Sequence, residues 1–132
     1  MTGDMLQLPL HALAHGRTGD KGDRSNISVI AYDHAVYPLL VEQVTPARVE
    51  HLFRHRRPTA VVRYLLPKLA AMNFVIDGVL DGGVNGSLNL DTHGKALAFL
   101  LLELGVAVPG ELVRYARGMH RINHSINEEI IR

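Results

Sequence analysis

The sequence has no cysteine and no tryptophan. Without thiols it cannot form disulfides, thiolate zinc sites, iron–sulfur clusters or a Cys nucleophile. Aromatic residues make up only 5% of the chain, too few for the stacking platforms of single-strand nucleic-acid binders. Neither sign of charge dominates: 14 Lys+Arg stand against 13 Asp+Glu, a formal net charge of +1. That balance creates no field to draw nucleic acid or an anionic membrane. Long apolar runs are missing as well. The longest, Ala96 to Pro109, is interrupted by Glu103 and is too short to span a bilayer. The N-terminus lacks the basic lead and apolar run of a secretory signal. The expectation is a soluble, cytoplasmic protein with neither nucleic acid nor membrane as partner.

What is present suits one domain. The chain has 132 residues, 47% of them hydrophobic, enough to bury a core without staples. Leu6, Leu8, Leu10, Ala12 and Ala14 alternate with polar positions, which predicts a strand over Leu6 to Ala14. Gly16 to Arg24 is all polar or glycine and reads as a loop. Asn26 to Tyr32 reads as a second strand. Asp33 can cap a helix over His34 to Gln43, and Thr45 a second one with Pro46 at its first position. Thr59 to Leu66 is β-rich. Leu69, Met72, Ile76 and Val79 predict a helix from Pro67 to about Leu80, stopped by Gly82 and Gly83. Val84 to Leu90 alternates as a fourth strand, and Asp91 caps a helix from Thr92 to Leu104. The predicted order is β-β-α-α-β-α-β-α, an α+β sandwich.

The segment Gly16-Arg-Thr-Gly-Asp-Lys-Gly-Asp-Arg24 carries the densest chemistry. Glycines at every third position let backbone N–H groups turn toward one point, as anion-binding nests do. Arg17, Lys21 and Arg24 add cations, while Asp20 and Asp23 add carboxylates able to orient a ligand or act as a base. No Ser or Thr follows a Gly-Lys pair, so this is not a phosphate loop, and the spacing is not a dinucleotide fingerprint. An ordinary Asp-Gly turn is the competing reading. Lys95, in the first turn of its helix, either holds an anion with the helix N-terminus or pairs with Asp91.

Eight histidines invite a metal reading. His120 and His124 stand at i and i+4, but no third ligand is obvious, so no metal is assigned. His11 and His15 could serve acid–base chemistry beside the Gly-rich segment. No G-x-S-x-G setting supports a serine hydrolase. Leu112, Tyr115, Met119, Ile122, Ile126 and Ile130 recur every three or four residues, predicting an amphipathic helix broken in part at Gly118. With the core closed at Leu104, that stripe is expected to bury itself in a homo-oligomer.

Ala14-His-Gly-Arg-Thr-Gly-Asp-Lys-Gly-Asp-Arg-Ser-Asn-Ile27 resembles the A-R-S-G-D-K-G-D-x-x-N-I signature of the AtuA-like family, the acyclic terpene utilisation proteins. Val62-Arg-Tyr, Met72-Asn-Phe-Val, Leu80-Asp-Gly-Gly83 and Leu90-Asp-Thr-His-Gly-Lys95 follow in the same order. The likeness runs from about Leu6 to Pro109 and resembles the C-terminal domain of the longer members. One departure is His15-Gly16 ahead of Arg17, where the family more often has Ala. The resemblance implies a ferredoxin-like α+β sandwich: a mixed or antiparallel four-stranded sheet with helices mainly on one face. It divides the chain into a domain at 1–109 and an extension at 110–132. It also implies a separate, larger partner chain carrying the family's N-terminal domain.

The family is associated with breakdown of branched, terpenoid-type acids as coenzyme A thioesters. The resemblance thus implies a subunit or accessory protein in catabolism of such acyl-CoA compounds. The alternative is a stand-alone hydratase or lyase acting on an acyl-CoA or small carboxylate. In that case Arg17, Gly19, Lys21, Gly22, Asn26, Asp91 and Lys95 hold the ligand, and Asp20 or Asp23 is the catalytic base. No cofactor is called for.

Overall fold

The computed structural model describes residues 5–21, 24–54, 58–78 and 97–117, with the backbone alone at residues 20 and 21. In chain order the strands are β1 (Met5–Pro9), β2 (Ala14–Lys21), β3 (Arg24–Ala31), β4 (Ala60–Leu66), β5 (Ala71–Asp77) and β6 (Gly105–Pro109). Helices α1 (Tyr37–Gln43) and α2 (Pro46–Leu52) lie between β3 and β4, and residues 97–102 are helical. β2, β3, β5 and β4 form, in that order, a four-stranded sheet in which every neighbouring pair is antiparallel. β1 and β6 make a separate two-stranded ribbon. No helix of the described residues is long and apolar enough to cross a membrane.

Both β3 and β4 run antiparallel to β5 between them, so they are parallel to each other. Parallel strands need a crossover, and α1 and α2 supply it. Asp33 accepts the Ala35 N–H at 2.8 Å, and the chain makes a 3-10 turn before α1. Thr45 accepts the Arg48 N–H at 3.2 Å, with Pro46 opening α2. These are the caps the sequence predicts. Arg63 of β4 then fastens the crossover. Its guanidinium donates to the carbonyls of Val41 and Val44, at 2.7 and 2.9 Å, where α1 ends.

One face of the sheet is the core. Ser25, Ile27 and Val29 of β3 and Met72, Phe74 and Ile76 of β5 are buried there. Leu40, Val44, Val49 and Phe53 of the crossover, and Leu97 and Leu101 of the helical segment, belong to the same core. The other face carries Asn26, Ser28, Asn73, Val75, Val62 and Tyr64, half-exposed or exposed. Helices on one face of a four-stranded sheet are the arrangement the resemblance implies.

Several predicted elements are corrected. The single strand over Leu6 to Ala14 is broken after Pro9, which has no N–H for a ladder. A 3-10 turn, Leu10–Ala12, buries Leu10, Ala12 and Leu13, and the Leu10 N–H donates to the Leu104 carbonyl at 2.8 Å. The predicted loop over Gly16 to Arg24 is largely strand, since β2 runs to Lys21 and β3 starts at Arg24. Pairing with β3 outweighs the weak strand propensity of its glycines. The predicted helix from Pro67 is a 3-10 turn, Pro67–Leu69, followed by β5. Ala70 takes a left-handed conformation (φ 51°), which ends the turn and launches the strand.

The element order therefore differs from the predicted one. Residues 105–109, read as the end of an apolar run, pair with β1, and Val106 and Val108 are buried. The core is thus not closed at Leu104. Beyond Pro109 the chain forms a 3-10 helix, Gly110–Tyr115, rather than the start of an amphipathic α-helix. Leu112 and Tyr115 pack on this domain's own core, and the Arg117 N–H donates to the Ala12 carbonyl at 2.7 Å. The predicted strand Val84 to Leu90, the cap at Asp91, and Met119, Ile122, Ile126 and Ile130 lie outside the described residues.

Phe74 sits at the centre of the core face and is fully buried. Phe74→Ala should cost about 3–5 kcal/mol of unfolding free energy in denaturant titrations. Its neighbour Val75→Ala, on the opposite face, should cost less than about 1 kcal/mol.

Candidate functional site

The β2–β3 hairpin sets the positions of the residues that the sequence picks out. Its register places Arg17 opposite Ser28, Gly19 opposite Asn26, Asp20 opposite Ser25 and Lys21 opposite Arg24. Directly paired residues share a face of the sheet. Arg17, Gly19, Arg24 and Asn26 therefore lie on the face away from the core, and Thr18 and Ser25 on the helix-covered face. Asp20 and Lys21 are strand positions rather than loop positions. Gly22, Asp23, Asp91 and Lys95 lie outside the described residues.

On the open face the polar side chains are largely engaged with β5. Arg24 grips Asp77 with both Nε and a terminal nitrogen, at 2.6 and 3.5 Å. Ser28 Oγ donates to Asn73 Oδ1 at 3.1 Å. His15 stacks on Tyr32, ring centroids 5.6 Å apart, and the Arg117 guanidinium lies 4.1 Å from the same ring. His11 and His15 do not act together. His11 belongs to the 3-10 turn and faces Glu103 at 3.9 Å, too long for more than a weak exposed pair. Among the described residues no group of three His, Asp or Glu could hold a metal ion.

At the outer edge of β2 the surface is concave. Gly16, Arg17 and Thr18 form one wall of a groove of about 510 Å³, and Ala98, Phe99 and Leu102 of the helical segment form the other. That volume lies within the range of small-molecule sites. Gly16 sits against Leu102, and a Cβ there would lie 3.5 Å from a Leu102 methyl. Its missing side chain is part of the space. Phe99 is 72% exposed, so its ring is open to a ligand in the groove. The groove is thus apolar along its walls with one cation, Arg17, among its lining residues. It suits a ligand with an apolar body and an anionic group.

Sequence reasoning picks out Arg17 but misses Phe99 and Leu102. The helical spacing of Leu97, Leu100, Leu101 and Leu104 predicts a core stripe, of which Leu97 and Leu101 are buried and Leu100 is exposed. Phe99, off that stripe, is the signal that could have marked a second, solvent-facing apolar surface. Asp77 is missed too, because the predicted helix hides its place opposite Arg24.

Ser25 is fully buried on the core face, and its Oγ has no hydrogen-bond partner. A buried hydroxyl left alone is unfavourable by the desolvation it suffers. Ser25→Ala should leave stability unchanged or raise it by about 1 kcal/mol. A loss of more than that in chemical unfolding would show that the hydroxyl is engaged in the folded protein.

With fold and groove in view, comparison with known families gives one assignment. The AtuA ferredoxin-like domain model matches residues 8–107. The match covers most of the chain, and the chain belongs to that family. Comparisons with curated proteins and with solved structures return no match.

Proposed function

We propose that the protein is a subunit or accessory protein in the catabolism of branched or terpenoid acyl-CoA compounds, and that the groove beside β2 receives the acyl group. The chain belongs to the AtuA family, and the pathway is taken from what that family is associated with. The observation that carries the reading is the composition of the groove: Phe99, Leu102 and Ala98 offer apolar contact, and Arg17 at its rim offers a cation to a carboxylate or to a phosphate of coenzyme A. Each methylene removed from water there contributes roughly 0.8 kcal/mol. Arg17 supplies charge-assisted hydrogen bonds that orient the head group. The larger, N-terminal-type chain of the family is the proposed partner that completes the chemistry.

Thermal unfolding with a branched medium-chain acyl-CoA tests this. Ligand at about a hundred times its Kd should add about 2.7 kcal/mol, a rise in Tm of several degrees. Coenzyme A alone should give a smaller shift. Phe99→Glu and Arg17→Ala, both at exposed positions, should each abolish most of the shift and leave the unliganded Tm within a degree or two of wild type. An equal shift with coenzyme A alone, or none with any acyl-CoA, removes the groove from the reading. Turnover of an unsaturated acyl-CoA by the isolated chain would identify the stand-alone hydratase or lyase instead.

A further inference from the structure

Glycine inside a strand is unfavourable relative to alanine, because it gives up more backbone freedom and packs nothing. It has a physical reason where the backbone is left-handed, where a neighbour leaves no room for a side chain, or where something approaches the bare backbone. Gly78 answers to the first two, with φ at 86° and Thr59 within 3.2 Å of where its Cβ would stand. Gly16 answers to neither. Its φ is not positive, and the ladder opposite Val29 holds it in ordinary extended strand. A Cβ there would stand 3.5 Å from one Leu102 methyl, 3.7 Å from the other and 3.5 Å from the Ser28 carbonyl oxygen. Those are ordinary contact distances. Alanine would fit, so neither the backbone nor the packing of the described residues calls for glycine.

The third reason remains. Gly16 lies on the helix-covered face of β2, half-buried between Ala14 and Thr18, and it lines the groove together with Phe99 and Leu102. A methyl at Gly16 would bridge the two walls, from strand backbone to Leu102. The volume it would fill is left to whatever occupies the groove.

We propose that Gly16 is the specificity-determining position of the groove. Its bare Cα, facing the Leu102 methyls, makes room for a carbon branch on the acyl chain, and a side chain there removes that room. The inference rests on the reading of the groove as an acyl site, and adds the width of the acyl group and the residue that sets it. The other lining residues do not select for width in this way. Arg17 belongs to the opposite face of β2 and acts at the rim on an anionic group. Phe99 is exposed and offers contact to a straight or a branched chain alike.

Isothermal titration of the full chain with a medium straight-chain acyl-CoA, and with the same chain carrying a methyl branch at successive positions, reads the width of the groove. The wild type should bind at least one branched member roughly fourfold more tightly than the straight one, the gain from burying one further methyl. Gly16→Ala should weaken that branched member roughly fourfold and leave the straight one within about twofold of wild type. The variant should also unfold at no lower denaturant concentration than the wild type, since alanine fits the strand. A lower midpoint, or failure to fold, shows that packing demands glycine and overturns the inference. So does a wild type that binds straight and branched chains equally, or a loss in Gly16→Ala that is the same for both. Each of those results leaves the acyl groove standing. Absence of binding by any acyl-CoA to the wild type removes the groove reading itself, and this inference with it.

Discussion

The ladder between β3 and β5 is the pairing on which the other elements depend. It joins two local hairpins, β2–β3 and β4–β5, across more than forty intervening residues (Ser28 to Asn73, for example, |i−j| = 45). Each hairpin alone has an apolar face with too little to bury it against, and isolated hairpins are marginal in water. Once β3 and β5 are joined, Ile27, Val29, Met72, Phe74 and Ile76 form a single surface. The crossover between β3 and β4 then has something to pack on. Loop closure over that distance is unfavourable in entropy, and the buried apolar area of these central strands outweighs it. The open face reinforces the same seam with Arg24–Asp77 and Ser28–Asn73.

The fold class and its local punctuation were legible in the residues. Asp33, Thr45 and Pro46 act where their chemistry says they should, since a cap is a contact within one turn of chain. β3 could likewise be read from residues in alternation, and β4 from its β-rich composition. β5 could not, for a definite reason. Met72 and Ile76 are four apart, a spacing that fits both a strand face and a helix face. Phe74 between them separates the two readings, but only tertiary burial shows that it belongs on the same face as its neighbours. β2 failed from the other direction. Its glycines and charges carry turn chemistry, and the strand exists because β3 offers a full row of partners. At the N-terminus the alternation from Leu6 to Ala14 is real but conceals a change of period, since Leu10 and Leu13 are buried through a 3-10 turn.

The candidate site was legible in half. Arg17 stands out in any reading of the Gly-rich segment, and the structure makes it a lining residue of a groove. The apolar wall that gives the groove its character comes from residues 98–102, remote in sequence from Gly16 and joined to it only by packing. No local pattern could pair them. The register also reassigns the polar residues of that segment. Arg24 is a cross-strand partner of Asp77, which makes it part of the sheet's own bonding. Arg17 and Gly19 are edge-strand positions whose outward sides are where another molecule could approach.

The two edges of the sheet differ in character. β2 is glycine-rich and basic, and it leaves space beside Gly16 for a small amphiphile. β4 is β-branched and apolar, with its single arginine turned inward to hold α1. If these roles were exchanged, a charged β4 would lose nothing in the core, because Val62, Tyr64 and Leu66 are not part of it. Core stability therefore does not require an apolar β4 edge.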